Sequence, residues 1–284
     1  MKQFTLPKII KLFIIFFAVA ATLKILLVGY DLDEQYALAM SYRLVRGDIP
    51  VLNMWEPHQT SGFLAALFMF PYVALTGSTT GIVLYLRICG LLIHSLTAFL
   101  LYRQIRFILA EYTAVTTDFG KDICFLITYI YFFSLPKLMF FPEFSNMQVW
   151  FLLLMILCIS HYYTRIISGG QVLPRWLCGA GLCLSLEVLS YPSSLILFPV
   201  CLCYIFKNHP KKKLPAKAPS LKRSSLTGEL AAFCLPCVIL ASFFLGFLLT
   251  KMSLQELVSL LPFALSDGSH SATLAEKLSA NGSS

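Results

Sequence analysis

One polar stretch, residues 30–62, gathers side chains whose types and spacing suit chemistry. It carries five of the chain's 14 acidic residues together with a histidine: Asp31, Asp33, Glu34, Asp48, Glu56 and His58. Apolar sequence flanks this stretch on both sides, and carboxylates collected in one loop of a membrane protein commonly form a site. The alternative interpretation is a solvated loop whose acids cap helices.

The composition predicts the kind of protein that must position these side chains. Of the 284 residues, 58% are apolar and only 13% are charged, whereas a soluble domain carries roughly a quarter charged residues. Several apolar runs approach the ~20 residues that cross a bilayer as a helix. The sequence therefore predicts an all-α membrane protein. The net charge of +8 does not indicate nucleic-acid binding, because the basic residues lie in short loops, where they orient a membrane protein.

Length and charge together predict seven membrane-spanning helices in the plasma membrane, with a cytoplasmic N-terminus and an outer C-terminus. Lys2, Lys8 and Lys11 precede or begin the first apolar run, which we interpret as a retained signal anchor. The acidic stretch then emerges on the outer face. The predicted spans are residues 9–29, 82–102, 123–141, 149–163, 176–190, 195–206 and 230–250.

A short apolar run at residues 63–75 is predicted to lie at the membrane surface. It has about 13 residues and contains Pro71, which is typical of an interfacial helix. If it crossed the membrane, Arg103 and Arg106 would lie outside, against the positive-inside rule. A second surface helix is predicted over residues 34–46, with Asp31 or Asp33 as its N-cap. The predicted outer loop with both surface helices covers residues 30–81.

Three further regions complete the predicted organisation. Residues 1–251 form a transmembrane domain, in which the basic residues 207–227 are a cytoplasmic loop near anionic lipid headgroups. Residues 252–284 are expected to be a polar outer tail, and their end indicates a truncated chain or the N-terminal part of a longer one. The nine cysteines all lie in apolar runs, so we interpret them, including Cys234 and Cys237, as packing residues.

Four features follow one another in an order found in a known family. They are an acidic pair after the first span, a surface helix that ends in Gly-Asp, a Glu-Pro pair before a second surface helix, and an arginine that enters the second span. In this chain they are Asp33-Glu34, Gly47-Asp48, Glu56-Pro57 and Arg87. Together they resemble the GT-C glycosyltransferases, with the lipid A aminoarabinose transferases and protein O-mannosyltransferases as the most similar patterns. The resemblance covers residues 10–250 in layout and residues 31–106 in specific side chains.

The resemblance implies a GT-C-like fold and a membrane glycosyltransferase, or its N-terminal half, that uses a polyprenyl-phosphate sugar at the outer face. It implies that Asp33, with Glu34 beside it, is catalytic or orients the acceptor. It also implies that Glu56 contributes to a divalent metal site. His58 is a second candidate ligand for that metal or a helix cap. A carboxylate in this position can accept the proton of the acceptor hydroxyl.

Three further side chains are candidates for substrate binding. Arg87 can stabilise the leaving phosphate, or serve as a structural arginine that reaches the headgroups. Relatives often carry Asp before the fourth span, where this chain has Glu143. Relatives also carry Lys in the turn after the fifth span, where this chain has Tyr191.

Two functions without covalent chemistry compete with the transferase. A transporter or flippase-like protein places ionisable groups within its spans, and Glu187 and His94 are the candidates here. A non-catalytic scaffold is the other. The clustering of acids in an outer loop and the absence of an internal sequence repeat favour the transferase.

Overall fold

The computed structural model describes residues 6–29, 31–54, 58–112, 117–134, 139–168, 173–209 and 225–265. This part of the chain contains α-helices and two short 3-10 turns, Gln59–Ser61 and Pro192–Ile196, but no strand. The helices are α1 (Lys8–Leu27), α2 (Leu32–Val45), α3 (Gly62–Thr76), α4 (Ile82–Tyr112), α5 (Thr117–Phe132), α6 (Phe144–Ile167), α7 (Arg175–Ser190), α8 (Leu197–Asn208), α9 (Leu226–Leu249) and α10 (Leu254–Leu265).

The apolar helices confirm the predicted all-α membrane protein. Five helical segments are long and apolar enough to cross a membrane: Lys8–Leu27, Gln59–Thr76, Ile82–Glu111, Phe144–Ile167 and Leu226–Leu249. Helix α1 has no buried residue although its sequence is almost wholly apolar, which indicates a lipid-facing surface. The count of seven spans stays a prediction, because α5, α7 and α8 have only 16, 16 and 12 residues.

The two largest differences from the predicted bounds are at the ends of α4 and α5. Helix α4 continues to Tyr112 rather than ending at residue 102, because the sequence beyond Arg103 keeps helix-forming residues and contains neither glycine nor proline. Helix α5 ends at Phe132 rather than at residue 141. Pro136 follows four residues later in the sequence, and proline cannot continue a helix.

Helix α10 lies in the stretch that was expected to be a polar tail. Leu257 is 5% exposed and packs with Val51, Leu248 and Met252 in a small buried cluster. This part of the predicted tail is therefore helical and packed against the end of α9. The remaining residues of the tail, 266–284, lie outside the described residues, as does most of the basic stretch 207–227.

Helices α2 and α3 pack along each other. Ser41 on α2 donates a hydrogen bond to the carbonyl oxygen of Gly62 at 3.0 Å, and Ala37 shares a buried cluster with Met69 of α3. The other side of α3 exposes apolar side chains such as Phe70. This packing keeps α3 beside α2, as the prediction of two surface helices requires. Its position relative to the membrane stays a prediction, because the same segment is long and apolar enough to cross.

A close approach at Gly90 fixes the segment before α6 against α4. A Cβ at Gly90 would lie 1.7 Å from the carbonyl oxygen of Phe140, so only glycine fits there. Phe140 and Phe141 are fully buried. The chain therefore enters α6 from the side of α4, which places Glu143 near the starts of α2 and α4.

Candidate functional site

The acidic pair lies in the first turn of α2. Asp31 is the N-cap of this helix, and its Oδ1 accepts a hydrogen bond from the backbone N–H of Asp33 at 2.8 Å. Of the two predicted N-cap residues, Asp31 thus has this role. The Asp33 carboxylate is not needed as the cap, so a chemical role for Asp33 is compatible with the local structure.

Glu34 and Arg87 form a buried, two-pronged ion pair between α2 and α4. Arg87 Nε donates to Glu34 Oε1 and Arg87 Nη2 donates to Glu34 Oε2, both at 2.6 Å. Glu34 is 1% exposed and Arg87 is 3% exposed. Such a geometry fixes both side chains, because charge-assisted paired hydrogen bonds are short and directional.

Arg87 also binds the end of α1. Its Nη1 donates to the carbonyl oxygens of Leu26 and Ile25 at 3.0 and 3.4 Å, and Nη2 donates to that of Gly29 at 2.8 Å. Gly29 has φ +93°, which turns its carbonyl group without the strain that a side chain would bring. The guanidinium has five N–H groups, and each has an acceptor. This favours the structural interpretation of Arg87, as a cation at a helix C-terminus, over phosphate binding.

Glu143 is the N-cap of α6. Its carboxylate accepts hydrogen bonds from the backbone N–H groups of Ser145 and Asn146 at 2.9 and 2.7 Å and from the Ser145 hydroxyl at 2.7 Å. Burial raises the pKa of Glu143, these hydrogen bonds oppose the rise, and the negative charge of Asp33 adds to it. Asp33 and Glu143 therefore lie within electrostatic reach of each other. The fold brings together two predicted site residues that are far apart in sequence.

His58 packs with two aromatic rings that also stack on each other, with centroids 6.4 Å apart. Its ring stacks on Phe144 with centroids 4.6 Å apart and planes 4° apart, and on Tyr191 at 5.1 Å and 21°. The neighbouring residue Thr60 donates its hydroxyl hydrogen to the carbonyl oxygen of Leu189 at 2.5 Å. This stack brings the predicted residues His58 and Tyr191 together with the start of α6. Phe144 was not predicted, and only the tertiary packing reveals its role.

Three buried polar atoms near this stack have no hydrogen-bond partner among the described residues. They are Ser61 Oγ, Asn146 Oδ1 and Glu187 Oε2. They belong to three segments that meet beside His58: the turn Gln59–Ser61, the start of α6 and the end of α7. Buried polar atoms are normally hydrogen bonded, so these atoms mark positions where water or a polar ligand binds.

A strained residue lies in the same loop. Val51 has φ +70°, an unusual conformation for a β-branched residue. Its N–H donates to the side-chain oxygen of Gln59 at 2.6 Å, which holds the strained turn next to the His58 stack. Backbone strain of this kind is concentrated at functional sites. The sequence contains no signal for it.

An apolar cavity of about 530 Å³ opens beside the stack. It is lined mainly by α7, α9 and the turn Pro192–Ile196, with Leu184, Val188 and Phe244 among its apolar side chains. Gln59 and Thr60 line its polar end and follow His58 directly in the chain. The cavity therefore joins an apolar space between helices to the polar site.

The described residues do not by themselves assemble a metal site. They contain no group of three or more His, Cys, Asp or Glu side chains that could hold a metal ion. Glu56, the predicted partner of His58, lies outside the described residues. The His58 ring stacks on Phe144 and on Tyr191, and these two rings stack on each other with centroids 6.4 Å apart. The metal site stays a prediction.

The two intramembrane candidates for a transporter have partners in the fold. His94 Nδ1 accepts from Trp150 Nε1 at 2.9 Å, and His94 Nε2 lies 3.0 Å from the carbonyl oxygen of Phe132, so both ring nitrogens are satisfied. Glu187 Oε1 accepts from the Ser194 hydroxyl at 2.7 Å. All nine cysteines are free thiols, consistent with packing residues.

The fold and the site define an all-α membrane protein with a cluster of carboxyl groups and stacked rings at one end of its helices. No protein-family model matches the chain, and comparisons with curated proteins and with solved structures find no match.

Proposed function

We propose that this chain is a membrane glycosyltransferase, or the N-terminal half of one, that transfers a sugar from a polyprenyl-phosphate donor to an acceptor at the outer face. One observation carries the proposal. Residues distant in sequence, Asp33, Glu143, His58 and Tyr191, meet at one end of the helices, beside an apolar cavity. The resemblance of the acidic stretch to GT-C enzymes supplies the reaction.

The cavity suits the apolar part of such a donor. Its volume of about 530 Å³ is within the range of ~300–1,000 Å³ usual for small-molecule sites. Its lining between α7 and α9 is apolar, and an isoprenoid chain is soluble in such surroundings. Its polar end at Gln59 and Thr60 leads to the His58 stack, so the phosphate and sugar would lie among the polar side chains.

Asp33 is the proposed general base. The acceptor hydroxyl gives its proton to the Asp33 carboxylate while its oxygen attacks the anomeric carbon of the sugar. The bond between that carbon and the phosphate oxygen breaks, and polyprenyl phosphate leaves with the bonding electrons. Glu143, Tyr191 and the acceptor atoms of Ser61 and Asn146 are the proposed contacts for the hydroxyl groups of the sugar.

Glu34 and Arg87 are positioning residues in this proposal. Both oxygens of Glu34 are engaged by Arg87, so the Glu34 carboxylate is committed to this ion pair. The pair fixes the first turn of α2 against α1 and α4. That turn carries Asp33, so the ion pair also fixes the position of Asp33.

A divalent ion held by Glu56 and His58 is a separate part of the proposal and rests on the resemblance alone. Its test is transfer activity after chelation with EDTA and after return of Mg²⁺ or Mn²⁺. We expect activity to fall and to recover. Activity that is insensitive to chelation contradicts the metal and leaves the transferase proposal standing.

The test of the transferase is Asp33→Asn in the full-length protein in its native membranes. Transfer of labelled sugar from the polyprenyl-phosphate pool is measured together with the abundance of the protein. We expect turnover to fall by about 10²–10⁴-fold, the usual contribution of a general base, at unchanged abundance. Asn keeps the size of the side chain, and the N-cap of α2 is Asp31, so the helix is preserved.

Asp48→Asn is the matched control. Asp48 belongs to the same acidic stretch but pairs with Arg43 at 2.6 Å on a partly exposed surface. We expect this variant to transfer sugar at the wild-type rate. Near wild-type transfer by Asp33→Asn would disprove the assignment of Asp33, and absence of transfer in the wild-type membranes would disprove the transferase.

A further inference from the structure

A second cavity, of about 430 Å³, carries polar side chains and lies between α4, α6 and the first turn of α7, with lining residues from Leu100 to Phe107 on α4 and from Leu154 to Arg165 on α6. Helix α6 has 24 residues and is therefore about 36 Å long. Glu143 and the His58 stack lie at its N-terminal end, whereas this cavity lies near its C-terminal end. The α6 residues that line the cavity, Leu154 to Arg165, thus lie about 17–33 Å from Glu143 along the helix axis.

Three arginines line the cavity: Arg103 from α4, Arg165 from α6 and Arg175 from α7. All three are exposed. None of the described residues that line the cavity is acidic, and no described carboxylate pairs with these arginines. Like charges held close together repel one another, and a bound anion removes that repulsion.

Aromatic faces hold the guanidinium groups in place. Arg165 lies 4.7 Å from the centroid of the Phe107 ring, and Arg175 lies 5.7 Å from that of Trp176. A guanidinium that lies over a ring is ordered, yet its N–H groups remain able to bind an acceptor at the edge. This differs from Arg87, whose donors are all used.

The floor of the cavity is a fixed polar pair. Gln104 is 6% exposed and donates through Nε2 to the Ser160 hydroxyl at 3.1 Å. Its Oε1 lies 2.9 Å from His161 Nδ1, and the His161 ring packs on Trp176 with centroids 4.3 Å apart. The orientation of the imidazole is therefore set before any ligand binds. All three cavity arginines lie within electrostatic reach of this ring.

The first turn of α7 adds a further positive contribution. Pro174 is its N-cap residue and provides no side-chain hydrogen bond to the helix. The partial positive charge of a helix N-terminus therefore remains directed toward the end of α7 that carries Arg175 and Trp176. Arginine forks and a helix N-terminus are groups that bind phosphate oxygens in proteins.

We propose that this cavity binds a phosphate-bearing anion. The position at the end of α6 and the leucines that line the cavity toward the helix interior fit the headgroup of an anionic phospholipid. A soluble phosphate compound has the same chemistry at its phosphate group. The site is independent of the proposed sugar transfer, and its test needs no transfer activity.

The experiment measures binding to the purified protein in a neutral detergent, with three probes. Dioctanoyl phosphatidic acid carries the phosphate on a lipid, inorganic phosphate carries it alone, and dioctanoyl phosphatidylcholine is the zwitterionic control. We expect saturable binding of phosphatidic acid. We expect Arg103→Gln, Arg165→Gln and Arg175→Gln each to weaken it by about 10- to 100-fold, the contribution of one charge-assisted hydrogen bond.

Arg106→Gln is the matched control. Arg106 is also exposed on α4 and lies 5.8 Å from the centroid of the Tyr102 ring, but it does not line the cavity. We expect it to change the affinity by less than about twofold, since it leaves every proposed phosphate contact in place. Thermal unfolding checks that all four variants are folded.

The outcomes separate the two sources of phosphate. Binding of phosphatidic acid without binding of inorganic phosphate supports a lipid headgroup, and equal affinity for both supports a soluble phosphate compound. Phosphatidylcholine that binds as tightly as phosphatidic acid overturns the proposal. So does absence of saturable binding, or a loss in Arg106→Gln as large as in the three cavity variants.

Discussion

The charged side chains at the two ends of α6 differ in their burial and in their partners. At its N-terminal end, Glu34 and Arg87 are buried and use their polar atoms on each other and on the end of α1. Near its C-terminal end, Arg165 and Arg175 are exposed and lie over aromatic rings. The difference follows from desolvation. A buried charge must be paired as the chain folds, whereas an exposed charge keeps its hydration until a ligand replaces the water.

Two arginines on one helix can have different roles, which their partners decide. Arg87 and Arg103 both lie on α4. Their partners among the described residues distinguish them. Arg87 has a carboxylate or carbonyl acceptor for every N–H group, whereas the contact described for Arg103 is with the face of Phe99, 5.8 Å from its centroid.

The largest expected effect tests whether the two ends lie on opposite sides of the membrane. Single cysteines replace Ser78, near the start of α4, and Glu111, near its end. An impermeant thiol reagent is applied to intact cells. The number of reagent molecules bound to each variant is compared with the number bound to the unsubstituted chain, because that chain has nine cysteines of its own. We expect Ser78→Cys to gain a label and Glu111→Cys to gain one only after permeabilisation.

The same labelling decides the position of α3. Arg46→Cys reports the end of α2 and should behave like Ser78→Cys if α3 lies along the surface beside α2. Labelling of Arg46→Cys together with protection of Ser78→Cys would mean that α3 crosses the membrane. The two ends of α4 would then exchange sides.

The second effect is on stability and tests the difference in pairing. Arg87→Met leaves Glu34 buried without its cation, so we expect the free energy of unfolding to fall by about 3–5 kcal/mol. Arg103→Met removes an exposed arginine from the same helix and should change it by less than about 0.5 kcal/mol. Unfolding in mixed detergent micelles measures both.

A double variant controls for lost packing. Glu34→Gln with Arg87→Met removes the unpaired charge and should recover part of the lost stability. Equal losses in Arg87→Met and Arg103→Met would contradict the contrast between the two ends of α6.

The third effect depends on pH and concerns Glu143. Burial and the charge of Asp33 raise its folded-state pKa above the ordinary value of 4.5, so the folded protein binds the proton more tightly than the unfolded chain. The contribution of Glu143 is therefore fully present below about pH 4.5 and is lost as pH rises through the raised pKa. The slope cannot exceed about 1.4 kcal/mol per pH unit for one proton.

Glu143→Gln should remove this contribution. The amide oxygen can still accept the hydrogen bond from the N–H group of Asn146, whereas the N–H group of Ser145, which donates to the other carboxylate oxygen, loses its acceptor. This loss does not depend on pH. We therefore expect the wild type to lose stability relative to the variant as pH rises from 4.5 toward neutrality, measured by thermal unfolding in one detergent. A difference between the two proteins that is constant with pH would show that Glu143 does not titrate with a raised pKa.

Local sequence patterns predicted the helices better than the contacts between them. The fifth predicted span, residues 176–190, differs from α7 by one residue, because Pro174 and Pro192 bound an apolar run on both sides. The N-cap of α2 was also among the predicted residues. Helix α10 was missed although most of its residues are apolar, because it has only 12 residues and contains Pro262, so it is too short for a predicted span.

The site was predictable in its residue types but not in its geometry. The sequence and the family resemblance indicated four candidate site residues: Asp33, His58, Glu143 and Tyr191. The pairing of Glu34 with Arg87 spans 53 residues, and no local pattern encodes a contact of that length. The role of Arg87 therefore had to be read from the acceptors that surround it. The arginine cavity had no sequence signal beyond the expected excess of basic residues at one membrane face.

The smallest expected effect distinguishes packing by the His58 ring from ligand binding by its nitrogens. The stack on Phe144 and Tyr191 needs an aromatic ring, and aromatic pairs contribute about 0.5–1.5 kcal/mol beyond the area they bury. His58→Phe keeps such a ring, whereas His58→Ala removes it. We expect His58→Ala to be less stable than His58→Phe by about 1 kcal/mol, as measured by unfolding in detergent.

Sugar-transfer activity then shows whether His58 has only a structural role or binds a ligand. If the His58 ring only packs against Phe144 and Tyr191, His58→Phe transfers sugar at the wild-type rate and His58→Ala is impaired by its loosened stack. If a ring nitrogen binds the predicted metal or the substrate, His58→Phe loses transfer although its stability is kept. Equal stability of the two variants would show that the stack does not hold the start of α6 against Tyr191, because removing the ring would then have cost nothing.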